Sequence, residues 1–139
     1  MKMVMKLFMA LHVYFYRASG GRLGGKMNGF KVLILNTVGR KSGNIHSSPV
    51  GYFERDGSYL VVASNGGAAN HPAWYHNLKS NPIFTINVMD KLLPVKAEIV
   101  SGEKRAALWK SVVEAAPAFA NYEKSTTREI PLVLLRQSR

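Results

Sequence analysis

The sequence predicts a small antiparallel β-barrel with peripheral helices, preceded by an N-terminal amphipathic helix. Its 139 residues are close to the size of one domain, and a hydrophobic fraction of 47% is ordinary for a globular protein. The middle of the chain holds short apolar and β-branched runs with little helical pattern between them. This succession of strands disfavours a parallel doubly wound sheet and favours a mainly β or α+β barrel.

Residues 1–19 are predicted to form the amphipathic helix, and residues 20–139 the barrel domain. Three cations of the helix fall close together on a helical wheel, namely Lys2, Lys6 and Arg17. The apolar stretch is shorter than the roughly 20 residues that span a bilayer, and the cations of residues 17–22 make a poor signal cleavage site. Two interpretations stay open: a helix lying on anionic lipid, and a helix packed on the domain or on a second subunit.

Beyond a glycine-rich joint at residues 20–26, the sequence reads as strands and hairpins. The predicted strands are 31–37, 50–55, 58–64, 83–89, 95–100 and 132–135. Asp56-Gly57 separates two of them and is a strong hairpin signal.

Two helices are predicted between and after these strands. The first is His71–Ser80, with Asn70 or His71 as its cap and Pro72 in its first turn, and it ends before Asn81-Pro82. The second runs from Glu103 to Ala115, and its expected packing face consists of Leu108, Val112 and Ala115.

Positive charge is concentrated in the first part of the chain. The formal net charge is +11, and residues 1–53 carry eight Lys or Arg and no acidic residue. Such a half favours an anionic partner, either nucleic acid, an anionic membrane surface or a phosphorylated small molecule. The absence of cysteine excludes disulfides, thiolate metal sites and cysteine nucleophiles.

Two glycine-rich segments are candidates for anion binding. Gly20 to Met27 nearly spells a phosphate loop, but Met27 replaces the magnesium-binding hydroxyl and no strand precedes it, so we reject a Walker motif. Arg22 could still meet a phosphate. Gly39-Arg40-Lys41-Ser42-Gly43 directly follows a predicted strand and offers two cations and approachable backbone N–H groups. A solvated hairpin turn is the alternative.

A third segment suits a flat ligand rather than an anion. The small residues 64–69 let a planar heterocycle approach the backbone, and Trp74 or Tyr75 could line its face. The alternative is that Trp74 and Leu78, spaced i and i+4, belong to the core. The four histidines lack zinc spacing, and neither paired carboxylates nor a nucleophile elbow is present. An enzyme of this sequence would therefore rely on a cofactor for its chemistry.

Several segments together resemble a known family. In chain order they are Thr37-Val38-Gly39-Arg40-Lys41-Ser42-Gly43, Pro49 with Tyr52, Asp56-Gly57, Ser64-Asn65-Gly66-Gly67, the segment from Pro72 to Pro82, and Thr127-Arg128-Glu129-Ile130-Pro131. This ordered set resembles the deazaflavin-dependent nitroreductase family of actinobacteria, over roughly residues 20–135.

The resemblance implies a split β-barrel of the FMN-binding type that binds reduced 8-hydroxy-5-deazaflavin, coenzyme F-420. Such a protein passes a hydride to an organic acceptor: a quinone, an activated enone or a nitroaromatic. By position, the anionic tail would be held by Arg40, Lys41, Ser42 and Gly43. The ring would meet the backbone of Pro49, Val50 and Gly51 on one edge, and that of Asn65, Gly66, Gly67 and Ala68 on the other. Its site would be walled by Trp74, Tyr75 and Asn77.

The acceptor side is implied by the segment from Ala116 to Tyr122. Family members that reduce nitro drugs place tyrosines there, whereas Phe119 keeps the ring and lacks the hydroxyl, which disfavours nitro-drug reduction. Phe119 and Tyr122 would contact the acceptor, with Tyr122 or Ser125 as proton donor. The alternative is that Phe119 and Tyr122, three residues apart on a helix, only pack against the barrel.

The expected protein is a cytoplasmic monomer or homodimer, and on the lipid interpretation of residues 1–17 it is peripheral on the inner face of the cell membrane. The alternatives are an FMN-dependent reductase on the same barrel, a non-catalytic carrier of the coenzyme, and a nucleic-acid-binding barrel. The last would need Tyr52, Phe53 and Tyr59 for base stacking. Because alternate strand residues point to opposite faces, these rings need not form one platform, and no nucleic acid partner is expected.

Overall fold

A computed structural model describes residues 2–27, 30–55 and 57–138. Seven strands form one antiparallel sheet in the order β1-β2-β3-β4-β7-β6-β5, and β2 also pairs with β5, so β2 to β7 close into a barrel. The strands are β1 Lys26–Met27, β2 Phe30–Val38, β3 Ile45–Arg55, β4 Ser58–Val62, β5 Ile83–Val88, β6 Lys91–Val100 and β7 Leu132–Gln137. The helices are α1 Lys2–Ala18, α2 Ala73–Ser80, α3 Gly102–Ala115 and α4 Ala118–Lys124, with a 3-10 turn at Asn65–Gly67. The predicted antiparallel barrel with peripheral helices is confirmed.

Alternation along the strands separates an inner core from two outer ones. Leu33, Leu35 and Ile86 point into the barrel, where Trp74 and Leu78 of α2 join them. On the outer face, α3 and α4 cover β4 and β7, while α1 covers β2. Each helix is thereby held by burial of an apolar face against the sheet.

The strand β3 begins at Ile45, five residues before the predicted start at Val50. Residues 45–49 are mostly polar and contain Pro49, so they lack an apolar alternation, yet they pair with β2. Pro49 is tolerated because β4 pairs with β3 only from Tyr52 onward, which leaves Pro49 on a sheet edge. The hairpin to β4 is confirmed by the pairing of Arg55 with Ser58; Asp56 itself lies outside the described residues.

Both predicted helices form, with corrections at their ends and faces. Pro72 occupies the cap position of α2 and no side chain caps the helix, so the assignment of Asn70 or His71 as cap is wrong. In α3, Leu108 and Val112 are buried as predicted, but Ala115 is exposed and Trp109 is buried instead. The Arg105 guanidinium lies 5.0 Å from the Trp109 ring centroid, which shields the indole from water.

One face of α1 is fixed to the barrel by packing and by two polar anchors. Val13 and Tyr16 are buried against Val32 and Ile34. The Tyr16 hydroxyl accepts a hydrogen bond from the Met89 N–H (2.7 Å), and burial raises the pKa of this phenol.

The guanidinium of Arg17 forms the second anchor. It donates to Asn36 Oδ1 (2.6 Å) and to Ser47 Oγ (2.9 Å), so this cation binds the barrel. The sequence predicts that Arg17 faces lipid together with Lys2 and Lys6. This is wrong for Arg17, because its side chain is bound to the barrel. The Lys2 side chain lies outside the described residues.

The rest of α1 exposes apolar side chains. Phe8 is 66% exposed and Tyr14 is 65% exposed, and Val4, Leu7, Leu11 and Phe15 are exposed as well. Among the described residues, no helix has the length and apolarity needed to cross a membrane.

Candidate active site

The cationic loop Gly39–Gly43 joins β2 to β3 at one end of the barrel. The Gly43 N–H donates to the Gly39 carbonyl (2.9 Å), and the Gly39 N–H donates to the Asn44 carbonyl (2.7 Å). Gly43 suits this turn because its φ is +74°, and the His46 ring packs close to Gly39, where a Cβ would lie 2.7 Å from His46 Nε2. The loop therefore has a defined shape, and the side chains of Arg40 and Lys41 are exposed on it.

Asn77 supports this loop from α2. It is buried, its Oδ1 accepts from the Arg40 backbone N–H (3.2 Å), and its Nδ2 donates to Thr37 Oγ1 (3.4 Å). Ser42 Oγ accepts from the Asn44 N–H (3.1 Å), so its hydroxyl also stabilises the loop. Asn77 and Ser42 thus stabilise the conformation of the cationic loop by hydrogen bonds.

Trp74 and Tyr75, the predicted walls of a flat-ligand site, are buried in the barrel core. Trp74 is 9% exposed and Tyr75 is 8% exposed, and both belong to the same apolar cluster as Leu78. The core interpretation of Trp74 and Leu78 is therefore the one that the structure shows. The Tyr75 ring lies against His71, at 4.6 Å between ring centroids.

The small-residue segment 63–71 is held in place by Arg128, which the sequence interpretation did not assign to the site. Its guanidinium donates to the carbonyls of Ser64 (2.7 Å), Ala68 (3.0 Å) and Ala63 (3.2 Å). It also donates to His71 Nδ1 (2.9 Å). Burial lowers the pKa of His71, and the nearby Arg128 charge lowers it further, so the neutral ring accepts this bond. One side chain therefore fixes four points of the segment.

Within that segment, Gly67 lies against α4. Its φ is +82°, and a Cβ there would be 3.1 Å from Ser125 Cβ and 3.3 Å from Tyr122 Cα. Ser125 Oγ donates to the Asn121 carbonyl (2.9 Å), which occupies its proton within α4. The 3-10 turn at residues 65–67 and α4 thus form one packed unit.

Phe119 and Tyr122 join that unit to the barrel through an aromatic cluster. The Phe119 ring centroid lies 5.7 Å from Phe30, 6.1 Å from Phe53 and 5.5 Å from Tyr122. Gly51 lies beneath this cluster, because a Cβ on it would be 3.3 Å from Phe30 Cβ. Phe119 and Tyr122 therefore pack against the barrel, as the alternative interpretation expects. Both rings are half-buried.

The strand β3 changes partner between Gly51 and Tyr52. Residues up to Gly51 pair with β2, and residues from Tyr52 pair with β4. The strand β4 ends at Val62, and the chain then turns away into the segment held by Arg128. Along Pro49 to Gly51, the backbone edge that faces away from β2 is therefore not covered by β4.

Comparisons with known proteins agree with this topology. A sequence model of the family described as F420H(2)-dependent quinone reductase matches residues 8–137. An F420H(2)-dependent quinone reductase of Mycobacterium tuberculosis is 40% identical over 129 residues, covering 90% of this chain and 87% of that protein. A solved F420-H2 dependent reductase (FDR-A) is 40% identical with a TM-score of 0.68, covering 76% of this chain and 93% of that one. A further solved chain, described as a domain-swapped dimer, has the same identity and TM-score and covers 76% and 79%. The chain belongs to the F420H(2)-dependent quinone reductase family, oxidoreductases that depend on reduced coenzyme F-420.

Proposed function

We propose that residues 20–139 bind reduced coenzyme F-420 and that the bound coenzyme delivers its hydride to a quinone. The observation that carries the site assignment is the partner change of β3 at Gly51, which leaves a backbone edge beside the segment that Arg128 holds. A glycine lies at each border of this place: Gly51 lets Phe30 pack closely against β3, and Gly67 lets α4 pack closely against the held segment.

The cationic loop fits the coenzyme's anionic tail. Arg40 and Lys41 are exposed, and the ion pairs found within the described residues use other cations, namely Lys104, Arg105 and Arg136. The charges of the loop are thus available, and its shape is fixed by Gly43, Ser42 and Asn77. We assign Arg40 and Lys41 to ionic contacts with phosphate and carboxylates, and the backbone at Ser42 and Gly43 to hydrogen bonds.

We place the ring of the coenzyme between two stretches of backbone, the open edge of β3 and the segment that Arg128 holds. We assign one edge of it to Pro49, Val50 and Gly51, and the other to the residues of the held segment, Asn65, Gly66, Gly67 and Ala68. Backbone N–H and carbonyl groups at both borders can orient a flat heterocycle by hydrogen bonds. Trp74 and Tyr75 support this site through packing from the barrel core.

The acceptor is assigned to the aromatic side of the cleft. Phe119 and Tyr122 present half-buried rings that suit a flat apolar molecule and exclude water from the reaction. Tyr122 is the preferred proton donor because the hydroxyl of Ser125 is bonded to the Asn121 carbonyl. We extend the proposal to activated enones and nitroaromatics; among the latter, nitro drugs are disfavoured because Phe119 lacks a hydroxyl.

Replacing Lys41 with alanine is expected to weaken coenzyme binding about two- to fivefold, as for an exposed charge pair worth about 0.5–1 kcal/mol. The difference should shrink as salt is raised, because exposed charges are screened. Fluorescence titration of the coenzyme at two ionic strengths measures both effects. Lys110→Ala removes an exposed lysine from α3 and is the matched control. Equal affinities of Lys41→Ala and the unsubstituted protein at low salt would remove Lys41 from the proposed site.

We also propose a peripheral location on anionic membranes through α1 in a cytoplasmic protein. Support comes from the exposed Phe8, Leu11 and Tyr14, and from the lack of acidic residues before Glu54. Truncation is a poor test, because Tyr16 and Arg17 anchor α1 to the barrel.

The exposed pair Phe8→Glu with Leu11→Glu keeps those anchors and is expected to abolish flotation with phosphatidylglycerol vesicles. Ile83→Glu is the control, since Ile83 is 65% exposed on β5. If the unsubstituted chain does not float, and the double variant instead converts a dimer to a monomer, α1 is a subunit contact and the membrane proposal is wrong.

A further inference from the structure

A cationic cavity lies at the end of the barrel opposite the loop Gly39–Gly43. Its volume is about 470 Å³, and it is lined by Gly21, Arg22, Gly24, Gly25, Lys26, Lys31, Tyr52 and Met89. Lys31 is near the start of β2 and the cationic loop follows the end of that strand, so roughly 30 Å of extended chain separates the two places. The cavity is therefore separate from the proposed site of the coenzyme's tail, although its Tyr52 directly follows Gly51 of the proposed ring border.

The lysines of this cavity are arranged at an energetic cost. Lys26 of β1 lies directly opposite Lys31 of β2 in an antiparallel pair, and like charges in this position destabilise a sheet. Arg22 adds a third positive charge to the same lining. Within the described residues, none of the three has a carboxylate within salt-bridge distance; Asp90 contacts Gly20 and is not part of the lining. A bound anion would offset this repulsion.

The glycine-rich segment supplies donors as well as space. It is held at its start by the Gly21 N–H, which donates to the Tyr16 carbonyl (2.8 Å). Near its end, the His12 Nε2–H donates to the Gly24 carbonyl (2.7 Å) and the Val32 N–H donates to the Gly25 carbonyl (2.8 Å). In the part of the chain that the structure describes, the backbone N–H groups of Gly24 and Gly25 have no protein acceptor. Two free N–H groups beside three cations resemble the donor sets that hold phosphate oxygens in proteins.

We propose that this cavity binds a phosphate group, carried either by a soluble phosphate ester or by a phospholipid headgroup. Arg22 supplies a guanidinium fork, Lys26 and Lys31 supply point charges, and Gly24 and Gly25 supply backbone donors. The exposed Phe15 and Leu23 lie beside Gly24, so a headgroup could enter from the side of α1.

The test is titration of the full-length protein with inorganic phosphate at constant ionic strength, followed by the amide NMR signals. Saturable shifts are expected for Gly24, Gly25, Lys26 and Lys31. The double variant Lys26→Gln with Lys31→Gln should raise the dissociation constant at least tenfold, while Lys96→Gln with Lys110→Gln, a pair of exposed lysines elsewhere, should leave it unchanged. The first pair should also raise the melting temperature of the ligand-free protein, because it removes the opposed charges.

Vesicles distinguish the two sources of the phosphate group. Flotation with phosphatidic acid vesicles that is lost in the Lys26 and Lys31 double variant identifies a lipid headgroup. Phosphate-induced shifts without any such loss of flotation identify a soluble ester. The proposal is overturned if phosphate produces no saturable shift at tens of millimolar, or if both double variants change the dissociation constant equally.

Discussion

Replacing Arg128 with alanine is expected to lower the melting temperature by about 5–12 °C and to weaken coenzyme binding at least tenfold. The guanidinium holds three carbonyls and the His71 ring of segment 63–71, and its loss leaves these acceptors without their donor. Hydrogen bonds from charged groups contribute about 1.5–3 kcal/mol each. Because the four bonds of Arg128 are only partly additive, we expect the free energy of unfolding to fall by about 2–4 kcal/mol. Thermal unfolding and coenzyme titration measure the two effects.

Two further variants separate the geometry of Arg128 from its charge. Arg128→Lys keeps the charge but cannot span four acceptors, and it should resemble the alanine variant more than the unsubstituted protein. Arg136→Ala removes an arginine that pairs with Glu98 on the barrel surface, and should cost less than about 1 kcal/mol. If Arg128→Ala keeps both the melting temperature and the coenzyme affinity, the segment 63–71 does not depend on this residue.

The second large effect is expected for Gly67→Ala, with at least a tenfold loss of kcat/KM. Alanine at φ of +82° is strained by about 1–2 kcal/mol, and its Cβ would lie 3.1 Å from Ser125 Cβ. The added atom must push α4, and with it Phe119 and Tyr122, away from the ring-binding segment. Gly67→Ala should therefore reduce coenzyme affinity and turnover to a greater extent than it reduces the stability of the protein against unfolding.

The matched control is Gly102→Ala. Gly102 has φ of +64° with open space around its Cβ position, so this variant carries the backbone strain without the contact. It should lose similar stability and keep its kinetic constants. Equal kcat/KM values for the two variants would show that the approach of Gly67 to α4 has no part in the site.

Much of the barrel could be predicted from the sequence because its inner strands alternate or are wholly apolar. The run from Val32 to Leu35 and the hairpin before Ser58 are local signals, and both are confirmed. The first part of β3 could not be predicted in this way. Its pairing with β2 is a long-range contact, and its polar residues and Pro49 show no strand period.

The site was predictable where a single segment determines its own shape. The loop Gly39–Gly43 is such a case, since its glycines and Ser42 close the turn locally. The residues that support the site could not be predicted from the sequence, because Arg128 contacts carbonyls more than 55 positions away in the chain. Asn77 is similar: its place in the segment from Pro72 to Pro82 predicts a wall of the site, and in the structure its amide oxygen accepts from the backbone N–H of Arg40.

The positive charge of residues 1–53 divides among separate tasks. Arg17 anchors α1 to Asn36 and Ser47, and Arg40 and Lys41 are exposed on the proposed tail site. Three more of these eight cations line the cavity at the other end of β2, namely Arg22, Lys26 and Lys31. The sequence alone could show only the total positive charge of residues 1–53. How the cations are distributed in space depends on β2, which carries Lys31 near its start and is followed by Arg40 at its end.

The most direct test of the central proposal is the steady-state oxidation of reduced coenzyme F-420 by a soluble naphthoquinone, with loss of both reactants followed under anaerobic conditions. The proposed function predicts saturable, enzyme-dependent consumption of coenzyme and quinone in equal amounts, and no comparable turnover with reduced FMN. A rate equal to that without enzyme, or turnover with reduced FMN alone, would contradict it.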